Sequence, residues 1–342
     1  MKSTTIAVDL AKNVFQVAVS HHPGKVAESH RLSRSQFLRF LAERQPALVL
    51  MEACGTAHFW GRKAQEFGHQ ALLLPPGHVR PYVRRNKTDQ TDTKGLLEAH
   101  RNEEIRPVPV KSVEQQTLAG LHRLRSAWMA DRTARLNLVR GLLRELGFSI
   151  PAGARHVVPR AWAVLDAADS ELPAPLGLAL GAALREIREF EARVTEVEKQ
   201  LRALAAQMPV VQRLRSIPGI GLLTATALVA FIGDVQRFAS CRRFASFLGI
   251  TPREHSSGLR RRLGGISKRG DVYLRMLLIH GARSVLWAAK RSKQPDRLRA
   301  WALHLQDRRG HNKAAVALAN KMARIVWAVW RHESSYQSQP AV

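Results

Sequence analysis

The pattern of apolar and polar positions changes character near residue 110. Before it, apolar residues come in short bursts: TTIAVDL, FQVAVS, ALVLME and HQALLLPP. Bursts of this length, rich in β-branched residues and bounded by turn formers, read as strands. KVAESHRL alternates and reads as a half-exposed strand, so the first three strands form a meander. Between the bursts, SRSQFLRFLAER opens on a serine cap, and TAHFWGRKAQEFG closes at Gly68; both carry helical spacing. Two prolines stop the last strand, and DQTDTKGLLEAHRN reads as a helix from Thr88 onward. Strands mixed with helices predict an α/β domain over residues 1–110.

Beyond residue 110 the period becomes helical. Residues 112–146 predict one long helix, opened by the capping-box pattern SVEQ, with Leu118, Leu121, Leu124, Trp128, Leu142 and Leu146 on its apolar positions. Residues 150–175, rich in Pro and Ala, read as a connector. Phe190, Val194, Val197, Leu201, Leu204 and Met208 are spaced 4-3-4-3-4, an a/d seam closed by Pro209. The seam suits a coiled-coil arm pairing with a second chain, or an ordinary amphipathic helix packed inside its own. Residues 111–208 are therefore read as long helix, connector and arm. Residues 209–333 read as all helical, punctuated by IPGIG, LGITP and LGGISKRG, and 334–342 as a disordered tail. IPGIGLLTATAL is helix-hairpin-helix-like: Gly219 and Gly221 would let backbone N–H groups face a phosphate, although a plain turn needs the same glycines.

Charge narrows the function. The chain of 342 residues carries 54 Lys+Arg against 27 Asp+Glu, a formal net charge of +27. Such an excess repels itself unless a polyanion neutralises it, which points to nucleic acid. A membrane surface is the competing polyanion, but the longest apolar run, LLTATALVAFIG, is too short to span a bilayer. The N-terminus lacks the long apolar region of a signal peptide. Two cysteines, Cys54 and Cys241, imply neither a disulfide framework nor a cysteine zinc site. A cytoplasmic, nucleic-acid-binding protein is expected, with no membrane partner.

Within so basic a chain, the acids stand out. Asp9 ends the strand IAVDL and Glu52 ends LVLME, while RRNKTDQTDTKG holds Asp89 and Asp92 at i, i+3 on one helical face. Asp89 and Asp92 also suit a plain capped helix start. Acids ending two strands, followed by a helix with D-x-x-D, match the order used by ribonuclease-H-like nucleases. Four gathered carboxylates repel one another. Mg²⁺, or Mn²⁺ in its place, removes that cost and supports phosphodiester cleavage. Arg84, Arg85 and Lys87 would then hold the backbone of the nucleic acid.

TPREHSSGLRRRLGGISKRG, residues 251–270, is the second candidate. Arg253, Arg260, Arg261, Arg262, Lys268 and Arg269 face one acid, Glu254, with Ser256, Ser257 and Gly258 between them. The serines suit turn formers in a basic loop. They also suit a nucleophile on a phosphodiester, flanked by arginines that stabilise the transition state.

VDLAKNVFQV, MEACGTAHFW, RRNKTDQTD, VKSVEQQ, IPGIGLLTATALVAFIGD, FASFLGITPREHSSG, RLGGISKRGD, LLIHGARSV and VALANKMARIVWA together resemble the IS one-ten family of bacterial insertion-sequence transposases. The likeness is to the subgroup with an HSSG-type serine segment and runs from about Thr4 to Arg331. It implies a RuvC-like domain with a DEDD quartet at Asp9, Glu52, Asp89 and Asp92. It implies a coiled-coil arm for oligomerisation, and a C-terminal transposase domain with its catalytic serine at Ser257. The implied activity is recombination of donor and target DNA, guided by a structured noncoding RNA from the element. The implied assembly is a homodimer or homotetramer whose active site combines the acids of one subunit with the serine of another. Two other readings stay open on the residues themselves: a RuvC-like junction nuclease working with metal alone, and a non-catalytic nucleic-acid-binding protein.

Overall fold

Alternation of side chains along two neighbouring strands builds the first sheet. In β1 (Thr5–Leu10), Ile6 and Val8 point to one face and Ala7 to the other; in β4 (Leu48–Glu52), Val49 and Met51 share the first face and Leu50 the second. β1 and β4 are parallel, with Ile6 opposite Val49 and Val8 opposite Met51. β2 (Val14–Ser20) and β3 (Glu28–Ser33) add antiparallel strands on one side, and β5 (Gln70–Leu74) a parallel strand on the other. The five-stranded order is β3-β2-β1-β4-β5. The meander and both parallel strands lie where the sequence predicts them.

One face of the sheet is covered by α1 (Arg34–Glu43) and α2 (Ala57–Glu66), whose Phe37, Leu41, Trp60 and Ala64 join Phe15, Val17 and the β1–β4 residues in an apolar core. Ser33 and Gln36 cap α1 reciprocally. The other face is covered by α4 (Asp89–His100), which follows the short α3 (Pro76–Val79) and a 3-10 turn, Arg80–Tyr82. Leu96, Leu97 and Ala99 of α4 pack on Ala7, Ala18, Leu50 and Leu74.

This computed structural model describes residues 4–83, 88–167 and 172–340. It divides into two units, Met1–Gln116 with Ile232–Arg237, and Thr117–Phe231 with Phe238–Val342. The excursion at 232–237 is tied into the first unit where Gln115 donates to the Gly233 carbonyl at 2.9 Å.

The second unit begins within α5 (Val113–Glu145), a single helix as its period predicts. Residues 150–175, read as a connector, instead contain α6 (Val157–Leu165); Val157, Ala161 and Val164 fill a core between α5 and α7 (Ala174–Ala206). α5 and α7 run antiparallel. Arg125 pairs with Glu198, Arg132 with Glu191 and Arg135 with Glu186, so the partners descend on α7 as they ascend on α5. Partly exposed pairs of this kind contribute little stability each, but here they fix the register of α7 against α5. The seam expected to face a second chain is therefore corrected at its centre. Val197 and Leu201 are buried within this chain, while Phe190 and Val194 are half-buried.

α8 (Pro209–Arg215), α9 (Leu222–Ile232), α10 (Cys241–Phe247), α11 (Val272–Arg291), α12 (Arg297–Arg309) and α13 (His311–Arg331) complete the helices. α13 packs against α8, α10, α11 and α12 through a stripe of Ala314, Ala315, Leu318, Ala319, Met322 and Ala323. Gly219 explains the IPGIG turn. Its φ is +81°, and a Cβ there would strike the Gly281 carbonyl of α11. Close helix approach thus accounts for Gly219, whereas Gly221 borders open space. Two further expectations need correction. The C-terminal part is not all helical, because the serine segment forms strands β6 (Pro252–Glu254) and β7 (Leu263–Ile266). Nor do residues 334–340 stand free: Tyr336 N–H donates to Ser216 Oγ at 2.8 Å, and the Ser338 hydroxyl to Asp296 at 2.8 Å. Among the described residues, no helix is long and apolar enough to cross a membrane.

A buried polar cluster joins α5, α9 and α11. The Thr226 hydroxyl donates to the Leu222 carbonyl at 2.7 Å, so it accepts from His122 Nε2, 2.9 Å away. That leaves Nδ1 to accept from the Tyr273 hydroxyl at 3.0 Å. The imidazole is thereby held neutral in one tautomer, and burial, aided by the Arg125 charge, pushes its pKa down to about 4. A depressed histidine pKa means that the unfolded chain binds the proton first. This stability is complete above the unfolded pKa of about 6.5 and is lost as pH falls toward 4, at a cost of about 3 kcal/mol. Thermal unfolding of the His122→Gln variant should therefore lose less stability than the wild type between neutral pH and about pH 4. Parallel pH profiles for the two proteins would show that His122 does not carry this dependence.

Candidate functional site

The first candidate site follows from the register of β1 and β4. Asp9 and Glu52 each lie one residue beyond the Val8–Met51 pair. Alternation puts Asp9 on the face of Ala7 and Glu52 on the face of Leu50, the same face, beneath α4. On α4, Asp92 lies four residues before Leu96 and seven before Ala99, so it continues the stripe that packs on the sheet; Asp89 is three residues further toward the N-terminus. Asp9, Glu52 and Asp92 are half-buried and Asp89 is exposed. Topology thus puts Asp9 and Glu52 at one end of one face, with Asp92 on the helical stripe that packs over it and Asp89 exposed at the helix start.

Thr88 caps α4 in a reciprocal pair with Thr91, the Thr91 N–H donating to Thr88 Oγ1 at 3.2 Å and the Thr88 N–H to Thr91 Oγ1 at 2.8 Å. Threonines cap the helix, so a site role for the aspartates is compatible with the cap. Arg84, Arg85 and Lys87 lie outside the described residues.

Two features of this site escaped the sequence reading. Gln16 is directly opposite Asp9 in the antiparallel β1–β2 pair, and it is buried, donating to Ser29 Oγ at 2.9 Å. Its only signal was a lone amide in an apolar run. Cys54 follows Glu52, and its thiol pKa is raised by burial and then by the charges of Glu52 and Asp9. Both acids therefore act on one point just past the end of β4.

The donor set is all carboxylate oxygen, the chemistry Mg²⁺ takes. Among the described residues, however, no three of His, Cys, Asp and Glu are gathered tightly enough to enclose a cation. Mg²⁺ at phosphoryl-transfer sites uses one or two carboxylates and completes its shell with substrate phosphates and water. Asp9 and Glu52, side by side at adjacent strand ends, fit that use.

The second candidate site is a hairpin. The Ser257 N–H donates to the Arg260 carbonyl at 3.3 Å and the Arg260 N–H returns to Ser257 at 3.2 Å, closing a two-residue turn of Gly258 and Leu259. Gly258 has φ +54° and Leu259 a negative φ, the sign pattern of a type II′ turn. Below the turn, the His255 N–H donates to the Arg262 carbonyl at 2.9 Å.

The two serines differ sharply. The Ser256 hydroxyl donates to Glu254 at 2.7 Å and accepts from the Arg262 N–H at 3.2 Å. Glu254 is held below the usual carboxylate range by that serine and by Arg261. Ser256 thus braces the hairpin. Ser257 makes the two backbone bonds of the turn, and among the described residues its side chain has no hydrogen-bond partner; it is exposed beside Gly258. Arg253, Arg260, Arg261, Arg262, Lys268 and Arg269 are all exposed around it.

The hairpin's base is held by backbone contact. A Cβ on Gly249, φ +71°, would collide with the Arg269 carbonyl, and one on Gly270, φ +105°, with the Phe247 carbonyl. The Lys268 N–H donates to Gly249 at 3.0 Å and the Ser267 N–H to Thr251 at 2.8 Å. From α13, Asn320 donates to the Ile250 carbonyl at 3.0 Å. The hairpin is thereby mounted on the end of α10.

Comparisons with known proteins cover both candidate sites. Residues 6–148, which include all four acids, match a family model for transposases of the IS110 DEDD class. Residues 211–297, which include Ser257, match the model described as Transposase IS116/IS110/IS902 family. The chain is 43% identical over 342 residues to a probable family 20 transposase of Pseudomonas aeruginosa, covering 98% of this chain and 99% of that one. It is 38% identical over 332 residues to the transposase for insertion sequence element IS1111A of Coxiella burnetii, covering 97% and 91%. It is 36% identical over 326 residues to the transposase for insertion sequence element IS1328 of Yersinia enterocolitica, covering 95% and 96%.

Replacing Gly270 with Ala forces a left-handed residue and a backbone collision together, so it should destabilise the protein by about 2 kcal/mol or more. It should also expose the arginine-rich hairpin to trypsin. Wild-type melting and an unchanged cleavage pattern would show that the base is not held in this way.

Proposed function

This chain belongs to the IS116/IS110/IS902 family of transposases, and we propose that it cuts and rejoins DNA through an acidic quartet and a serine nucleophile. The quartet is Asp9, Glu52, Asp89 and Asp92, and the nucleophile is Ser257. The observation that carries this reading is the contrast between the serines: Ser256 is engaged on both sides, while Ser257 stands exposed at the turn among arginines. In the proposed reaction, Ser257 Oγ forms a phosphoserine ester as a DNA oxygen leaves. Attack by the hydroxyl of another strand then breaks that ester and frees the serine. One phosphodiester-type bond replaces another at each step, so rejoining needs no external energy source. Arg260, Arg261 and Arg262 would hold the non-bridging oxygens, with Arg253, Lys268 and Arg269 on flanking phosphates.

Mg²⁺, or Mn²⁺, held by Asp9 and Glu52 with the α4 aspartates, would supply Lewis-acid polarisation of a phosphate oxygen. In the proposed assembly, a homodimer or homotetramer, the acids of one subunit meet the serine of another. An element-encoded noncoding RNA would pair with donor and target DNA and choose the sequence, while the net charge of +27 supplies sequence-blind affinity for both nucleic acids. The alternative, a metal-dependent junction nuclease without a covalent intermediate, uses the same acids and leaves Ser257 idle.

Ser257→Ala should keep nucleic-acid binding but yield neither a protein–DNA adduct nor recombinants. Ser256→Ala loosens a solvent-exposed brace and should retain measurable activity. Asp9→Asn should abolish strand cleavage at unchanged or raised melting temperature, because it removes one of several neighbouring like charges. Mass spectrometry of a trapped reaction should place DNA on Ser257. Strand cleavage by Ser257→Ala at the wild-type rate, with no adduct in either protein, would establish the nuclease alternative instead.

A further inference from the structure

Leu259 is the apex of the hairpin and its least explained residue. Its side chain is fully exposed, at 107% of the reference area. Glycine followed by Asn, Asp or Ser is the usual pair for this kind of turn, so leucine departs from what the turn alone asks. It touches no core, and its exposure gains nothing for the isolated fold.

Its surroundings decide what it meets. Arg260, Arg261 and Arg262 follow it directly, and Arg253, Lys268 and Arg269 lie on the hairpin and its base. Glu254, the one acid of the segment, is engaged by Ser256 and Arg261. In the proposed assembly the acids of a neighbouring subunit meet Ser257 across a DNA phosphate, so the positive tip itself lies against the phosphate backbone. A polyanion is attracted to that tip. Two-stranded ribbons enter nucleic-acid grooves, and an apolar side chain carried in this way can wedge between base pairs and unstack them.

We propose that Leu259 is a wedge that enters the base stack of duplex DNA, with the surrounding arginines clamping the phosphates on either side. The choice of duplex DNA as partner rests on the transposase reading above. Leu259 is two residues from Ser257, at most roughly 7 Å of chain. Base pairs are spaced about 3.4 Å along each strand, so a wedge at one step leaves the serine within about two steps of the distortion. Unstacking at that step would turn the backbone outward and expose a phosphate to the serine. Ser257 and Leu259 thus divide the work: one attacks and the other opens the duplex. The turn enforces the pairing, since Gly258 alone separates them.

The test uses full-length protein and a short duplex with 2-aminopurine beside a central thymine–adenine step, a flexible kind. Low salt secures binding through charge. At saturation the wild type should raise the fluorescence several-fold, Leu259→Ala should leave it near the free-duplex level, and Leu259→Phe should restore the rise. Arg261→Ala should weaken affinity yet reach the wild-type plateau. Leu259 is exposed, so none of its variants should change the melting temperature. A Leu259→Ala plateau equal to the wild type would overturn the proposal. So would a change in the mass of the free Leu259→Ala protein by light scattering, because the residue would then be contacting a second copy. The serine reading is separable: Ser257→Ala keeps the fluorescence rise under this proposal, and normal recombination by Ser257→Ala would defeat that reading without touching the wedge.

Discussion

Charge excess is the constraint to which the arrangement of this molecule answers. With twice as many cations as acids, each carboxylate that is placed has a large local effect, and the acids have clear assignments. Glu186, Glu191 and Glu198 set the register of α7 against the arginines of α5. Asp271 and Asp296 cap α11 and α12. Glu254 braces the serine hairpin. Asp9 and Glu52 are different, because register puts them side by side at one end of one sheet face, with Asp92 on the helix that covers it. Like charges so placed work against folding unless a cation joins them. Their placement on two adjacent strands and one helix is what the proposed metal chemistry draws on.

The strands and most helices were legible because their signals are local. Short apolar bursts marked β1, β4 and β5 directly, and the Ser33 and Thr88 caps marked the starts of α1 and α4. The strand acids were legible for the same reason: a carboxylate at the end of an apolar burst needs no tertiary information to be noticed. What could not be read was whatever depends on a partner distant in the chain. Gln16 acquires significance only from its register opposite Asp9. α6 was hidden because a proline, Pro159, falls in its first turn, where a helix tolerates it, within a segment whose composition suggested a connector.

The a/d seam shows the same limit. A 4-3-4-3-4 spacing specifies that a helix has a partner but not whose helix that is. Val197 and Leu201 are buried within this chain, and arginine–glutamate pairs from α5 residues more than 50 positions away set the register of the helix that carries them. Gly219 is comparable: glycine counting allowed a phosphate-facing hairpin, and only the approach of Gly281 shows why a side chain is excluded there.

The hairpin unites both lessons. Its sequence is dominated by Arg, Ser and Gly, which reads as loop, and pairing over so few residues is marginal in isolation. It becomes a defined structure because its ends are fixed from outside. Gly249 and Gly270 admit backbone contact at the base, Asn320 holds the Ile250 carbonyl, and Ser256 and Glu254 bond across the shaft. A flexible loop carrying the same charges would bind phosphate equally well, since charge alone is indifferent to order. Order matters when one hydroxyl must meet one phosphorus atom, because positioning paid in advance during folding is not paid again at reaction. With Ser257 as the proposed nucleophile, the bracing of Ser256 and the exposure of Ser257 and Leu259 answer that one demand: a rigid shaft ending in an exposed tip.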